Sequence, residues 1–336
     1  MSSSRDLDRR VLLVCPAGAE IGIGHLGRML SLAGALSETK PTEVRFLIQG
    51  EPIERDDLAE FEHSFVGLNT DLLDAVMRTS DEFAPSVVVF DLHPGQLPDD
   101  FPTRSAELRE AGIRLVGVDS LLGECDSLDL TWVPSLLVEA SAVAGCAGTV
   151  HSGWDSFLIT RRLPVEEWSP GSRVLVLTGG SDVTDQNTTL PTLLDQQLPD
   201  RSQVSWVRGP FAGAPVLPED PRHEWMVHEA PVGLDELIKT TDYAITVFGV
   251  TLFELLQYGV PTVVFSPYDD RQVPELEPVA AAGAAVVAGD ASTAVGALAS
   301  LMVDDDRAAE MSNAAGDRMR VNGAERLAGL IHSLGE

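Results

Sequence analysis

What most constrains this chain is an alternation that runs its whole length: short runs of β-branched and aliphatic residues, each followed by a stretch whose apolar positions recur at helical spacing. Val11 to Cys15, Val44 to Ile48, Ser86 to Phe90 and Arg114 to Val118 are apolar runs of strand length. Continuous runs of this kind are what strands buried on both faces require. Met29 to Leu36, Leu72 to Phe83 and Thr103 to Ala111 carry the helical period between them, and Leu128 to Val133 adds a further strand. The pattern predicts a mostly parallel sheet with helices on both faces. From Ser152 to Gly171 the period lapses around Pro164, Pro170 and two tryptophans, and Arg173 to Thr178 restarts it. Strands near Gln203 to Val207, His223 to Val227, Tyr243 to Val247 and Thr262 to Phe265 follow, with helices near Leu190, Leu234, Leu252 and Leu276. After a strand at Ala284 to Val287 come three alanine-rich helical segments.

At roughly 150 residues per domain, the 336 residues have room for two cores. The expected fold class is α/β, with two Rossmann-like doubly wound domains, 1–155 and 156–336, facing a cleft. The last helix, Ala324 to Leu334, is free to pack back on the first domain. Open sheets bind ligands at the carboxyl ends of their strands, so the cleft is the expected site.

Charge and cysteine usage narrow the partners. The chain has 52 acidic and 23 basic residues, a net charge of −29, which would repel a nucleic-acid backbone. Only Lys40 and Lys239 are lysines; so acidic a surface either suits a high-salt cytoplasm or is simply acidic. Cys15, Cys125 and Cys146 are odd in number and widely spaced, so neither a disulfide framework nor a zinc site is expected, and the cytoplasm is the natural compartment. No window approaches the roughly 18 apolar residues of a membrane span, and the five apolar residues after Arg9-Arg10 are too short for a signal sequence.

The most informative stretch is Gly22-Ile-Gly24-His25-Leu-Gly27-Arg28, after the first strand and opening the first long helix. Glycines there let the backbone approach a ligand, and helix-start amides favour negative charge. The stretch also fits the dinucleotide pattern G-x-G-x-x-G, with Glu51 near the distance of a ribose-binding acid, so a nicotinamide-dependent dehydrogenase using Gly22, Gly24, Gly27 and Glu51 is one reading. Against it, Pro16 to Ile21 intervene between strand and motif. His25 and Arg28 share a helix face at i, i+3 and pair a base with an anion clamp, or else cap the helix and line the surface.

Three more stretches lie at strand ends. Gly249, Val250 and Thr251 open a helix whose amides suit a diphosphate, with Glu254 one turn on to accept from ribose hydroxyls; alternatively Thr251 caps the helix and Glu254 completes its charge pattern. Gly179, Gly180 and Ser181, followed by Asp182, form a glycine-rich turn against which a ligand can lie, or ordinary loop. Asp91, ending Phe90-Asp91-Leu92-His93, can orient a base, bind a sugar hydroxyl or cap its loop. His63, His151, His223, His228 and His332 share no metal-ligand spacing and are expected to be structural. Phosphate-loop, serine-hydrolase and zincin motifs do not occur. No metal and no cofactor are expected.

In the order and spacing of these motifs the chain resembles two-domain enzymes of the glycosyltransferase B architecture. In particular it is similar to the UDP-2,4-diacetamido-2,4,6-trideoxy-β-L-altropyranose hydrolases of pseudaminic acid synthesis and to spore-coat polysaccharide glycosyltransferases. G-x-G-H-x-x-R is carried by Gly22 to Arg28, and its helix continues as Ser31-Leu32-Ala33-Gly34-Ala35-Leu36. The likeness recurs at Val88 to His93, Val116 to Asp119, Gly179 to Asp182 and Gly249 to Pro261; the chain departs from it at Phe248 and Arg271. The resemblance implies His25 as general base, Glu254 on the nucleotide ribose and Gln272 among the substrate contacts. It implies a nucleotide sugar, most simply a UDP sugar, as substrate, with release of UDP in surface-glycan or nonulosonic acid synthesis. Hydrolysis is the reading its first motif favours; glycosyl transfer to a glycan or lipid acceptor, with peripheral membrane contact in the lipid case, is the alternative. A nucleotide-sugar binding protein without activity is a further one.

Overall fold

The computed structural model describes residues 9–18, 21–92, 96–160, 163–182, 184–231, 233–267 and 273–334. They form two compact units, the first drawn from within 1–159 and 322–336 and the second from within 160–321.

The first unit runs β1 (Arg9–Ala17), α1 (Gly24–Thr39), β2 (Thr42–Gly50), β3 (Glu62–Val66), α2 (Leu72–Phe83), β4 (Val87–Asp91), α3 (Phe101–Glu110), β5 (Arg114–Val118), β6 (Leu130–Val133), α4 (Ala140–Val143) and β7 (Thr149–Ser152). The strands make one sheet in the order β3-β2-β1-β4-β5-β6-β7, every pairing parallel, with Leu13 opposite both Phe46 and Val89. Alternate residues of β1 serve opposite faces. Val11, Leu13 and Cys15 join a core with Met29, Leu32 and Leu36 of α1, while Leu12 and Val14 join one with Leu72, Val76 and Phe83 of α2. A further helix of this unit comes from the end of the chain, after the second unit is complete. There Asn322 Oδ1 accepts from the amides of Ala324 and Glu325, and its Nδ2 donates to the Ile159 carbonyl.

The second unit runs β8 (Arg173–Leu177), α5 (Gln186–Gln197), β9 (Gln203–Arg208), β10 (Glu224–Glu229), α6 (Asp235–Lys239), β11 (Tyr243–Val247), α7 (Val250–Gln257), β12 (Thr262–Phe265), α8 (Val273–Ala281), β13 (Val286–Ala288), α9 (Ala291–Leu301) and α10 (Asp305–Arg318). The chain then returns to the first unit as α11 (Gly323–Ser333), whose Ala324, Leu327, Ala328 and Ile331 complete the core under α1. The second sheet is again parallel, in the order β10-β9-β8-β11-β12-β13. In each sheet the chain reverses its direction of travel once, between β1 and β4 and between β8 and β11. These are the points where neighbouring crossovers leave in opposite directions and open a crevice at the strands' carboxyl ends.

Two expectations are corrected. β1 does not stop at Pro16 but runs through it to Ala17, opposite Gly50. Cys125 and Cys146 form a disulfide, which sequence spacing did not suggest, leaving buried Cys15 as the free thiol. That pairing removes the argument from unpaired cysteines to a reducing compartment. Among the described residues no helix is long and apolar enough to cross a membrane.

Candidate functional site

The β1/β4 crevice of the first unit holds a cluster of charged side chains, those of His25, Arg28, Asp91 and Asp119. After β1, Gly18 and Gly22 pair their backbones across a short loop (3.1 and 2.7 Å), and Gly22 adopts φ +85°, a conformation few other residues tolerate. Gly24 then begins α1. Ile23 stands at the cap position and offers no side-chain acceptor, so neither His25 nor any other side chain caps this helix.

One turn apart on α1, His25 and Arg28 reach the same carboxylate. His25 Nδ1 lies 2.8 Å from Asp91 Oδ1. Arg28 donates to both oxygens of Asp91, from Nε at 3.0 Å and Nη2 at 2.8 Å, and from Nη1 to Asp119 Oδ2 at 2.7 Å. Nη2 also lies 3.0 Å from His25 Nδ1. Asp91, the last residue of β4, is fully buried, and a buried carboxylate is tolerated only when paired. Burial alone would lower the pKa of Arg28, but Asp91 and Asp119 more than offset it and raise it, so the guanidinium is firmly charged. Beneath them the Cys15 thiol is pushed up by burial and then by Asp91, against a smaller opposite pull from Arg28, and stays protonated.

The tautomer of His25 follows. Two acceptors cannot face each other at 2.8 Å, so Nδ1 donates to Asp91, Arg28 Nη2 donates to Asp91 Oδ1 and not to the ring, and in the neutral imidazole Nε2 is the acceptor. Among the described residues Nε2 has no hydrogen-bond partner. Arg28 directs Nε, Nη1 and Nη2 to the carboxylates of Asp91 and Asp119, and its side chain is 11% exposed, so it is a buried member of the cluster and not a solvated surface arginine. Among the described residues, the partners of the Asp91 carboxylate are the His25 imidazole and the Arg28 guanidinium. Asp119, named in the sequence only as the end of the Val116 to Asp119 stretch, belongs to the same cluster; an acid at the carboxyl end of β5, as Asp91 is of β4, was the signal available.

In the second unit the corresponding crevice is lined by the turn after β8 and the start of α7. Gly179 adopts φ +88°, and the turn of Gly179, Gly180 and Ser181 packs on Gly209 so closely that a Cβ there would come within 2.4 Å of two carbonyl oxygens. Asp182 accepts from the amides of Gln186 (3.1 Å) and Asn187 (2.8 Å), so it caps α5; its pKa is raised by burial against these hydrogen bonds. Gly249, extended, occupies the cap position of α7 with no side-chain bond to the helix start, and Val250 is the first helical residue. Thr251 therefore lies inside the helix and is not its cap. Glu254 lies beyond the first turn, and burial, with a further push from Asp235, raises its pKa from 4.5 to about 7. Sequence reasoning missed Asp235 and Tyr258, whose hydroxyl donates to Asp235 and accepts from the Leu163 amide at 3.2 Å; Tyr258 at i+4 from Glu254 was the visible signal. Glu51, required by the dehydrogenase reading, is exposed beyond β2. Gln272 and His93 lie outside the described residues.

No family model matches the chain, and no curated protein matches it in sequence. Among solved structures it is similar to the spinosyn forosaminyltransferase SpnP, with 16% identity and a TM-score of 0.69 over 98% of this chain and 100% of that one. It is similar also to the spinosyn rhamnosyltransferase SpnG complexed with thymidine diphosphate, with 18% identity and a TM-score of 0.60 over 98% and 100%. A third is a putative UDP-N-acetylglucosamine 2-epimerase from Listeria monocytogenes, with 13% identity and a TM-score of 0.64 over 97% and 96%. At these identities the likeness is one of fold: the chain has the glycosyltransferase B fold, built of two parallel α/β sheets.

Proposed function

We propose that this chain is an enzyme acting on nucleotide sugars, which moves a glycosyl group from a nucleoside diphosphate to a hydroxyl acceptor with His25 as the base. The observation that carries the reading is the 2.8 Å contact of His25 Nδ1 with buried Asp91, which leaves Nε2 as an acceptor at a switch point of the sheet. The names of the similar structures, two sugar transferases and an epimerase of a UDP sugar, support the substrate class.

In this reading the acceptor hydroxyl gives its proton to His25 Nε2 while its oxygen bonds to the anomeric carbon. The bond from that carbon to the diphosphate breaks, and its electron pair leaves with the diphosphate. Asp91 keeps the imidazole in the right tautomer and stabilises the imidazolium as it forms. The amides of Gly249, Val250 and Thr251 face the charge developing on the leaving group, with the turn of Gly179, Gly180 and Ser181 beside it. Glu254 accepts from the ribose hydroxyls. Hydrolysis is the same sequence with water in place of the acceptor, and the G-x-G-H-x-x-R match of Gly22 to Arg28 is what favours it.

The test is to incubate the protein with UDP and TDP sugars, with and without candidate acceptors, and to follow nucleotide release. Transfer predicts release that depends on an acceptor, hydrolysis predicts release in buffer alone, and conversion of the sugar with no release points to epimerisation. His25→Ala should lower turnover by about 10²- to 10⁴-fold while leaving nucleotide affinity within about twofold. Undiminished turnover in that variant removes His25 from the mechanism.

A further inference from the structure

His25 and Asp91 account for a base and its orienting carboxylate, but not for two further charged groups in the same crevice. Asp91 is fully buried, and its charge is compensated by the two hydrogen bonds from Arg28. Arg28 is in turn held at its far edge by Asp119, 2.7 Å from Nη1. Asp119 follows β5 directly and adopts φ +62°, a left-handed conformation that Asp and Asn tolerate better than other residues with side chains. Its side chain is 36% exposed, so the fold does not need it to fill a core.

Among the described residues, the charges in this group are those of Asp91, Asp119, Arg28 and, when protonated, His25, with the neutral Cys15 thiol beside them. With both carboxylates ionised and Arg28 charged, the cluster reaches neutrality only when the imidazole takes up a proton. Without Asp119 it would be neutral beforehand, and proton uptake would leave a net positive charge in a confined crevice.

Resting on the reading of His25 as the base, we propose that Asp119 is a positioning residue for it. Through Arg28 it holds Asp91, through Asp91 it holds the imidazole, and it supplies the second negative charge that the imidazolium needs.

The test uses the full-length protein with Asp119→Asn, which suits the left-handed backbone and removes the charge, and Asp119→Glu, which restores the charge on a longer arm. Two quantities are read: steady-state turnover of the nucleotide sugar that the native protein accepts, and the titration midpoint of His25 followed by NMR of the labelled imidazole. Asp119→Asn should lower kcat on the order of 10- to 100-fold, the range typical when an outer hydrogen-bond partner of a functional histidine is lost, with the donor KM within about twofold. The His25 midpoint and the acidic limb of the kcat/KM profile should both move to lower pH, and Asp119→Glu should recover part of each. A raised KM at unchanged kcat would make Asp119 a substrate contact and overturn the proposal. So would an unmoved His25 midpoint, or equal losses in both variants. If native protein turns over no nucleotide sugar while the midpoint still moves, the assigned reaction fails and the positioning stands.

Discussion

Residue by residue, the two crevices differ in how completely their charged groups are satisfied. Asp91 accepts from His25 and twice from Arg28, so it is committed to orientation. Among the described residues no such set of donors holds Glu254, and its pKa of about 7, raised first by burial and then by Asp235, means that the folded protein keeps a proton the unfolded chain has lost. The consequence for stability has a definite sign: the contribution of Glu254 is full below about pH 4.5 and is lost as pH rises through 7. Binding has the opposite trend. A ribose that donates two hydroxyls to this group requires the carboxylate, so nucleotide affinity should weaken by roughly fivefold between pH 7 and pH 6 and release a proton on binding. Titration calorimetry in two buffers of different ionisation enthalpy measures both, and Glu254→Gln should abolish the pH dependence. Affinity independent of pH in the native protein would exclude Glu254 from the ribose site.

Among the elements, the glycine turns after β1 and β8 stand where each sheet changes its direction of travel. The turn after β8 packs against Gly209, where the carbonyl oxygens of Gly179 and Gly180 leave no space for a methyl group. Gly209→Ala should therefore cost about 1–3 kcal/mol, because the atoms it would strike are backbone and cannot swing aside as a side chain would. Chemical denaturation gives the number, and a loss under about 0.5 kcal/mol would show that the turn is slack. The strands behind these turns were legible because parallel strands buried on both faces are continuous apolar runs. β5, β11 and β12 coincide with their predicted spans, and α2 matches residue for residue. β3 and β7 were not legible. They are the edges of the first sheet, short and without a fully buried residue, so burial wrote no apolar pattern into Glu62 to Val66 or Thr149 to Ser152.

At the scale of the whole molecule, a net charge of −29 makes the folded state work against its own repulsion. Raising salt from about 0.1 to 1 M shortens the screening length from about 10 to 3 Å, so the thermal unfolding midpoint should rise with potassium chloride. A midpoint that stays flat or falls would show that local ion pairs such as Arg173 with Asp242 outweigh the net charge. The amino-acid sequence by itself determined the alternation of strands and helices, the glycine turns at strand ends and the shared face of His25 and Arg28, because each is written in local spacing of a few residues. Tertiary structure alone decided what that face meets. Asp91 and Asp119 lie 63 and 91 residues from Arg28 and come to it only because β4 is laid beside β1, and β5 beside β4, in a parallel sheet. It also decided that Cys125 meets Cys146 and that α11 completes the first core. Pairings of that range depend on which strands are neighbours, and no local period records it.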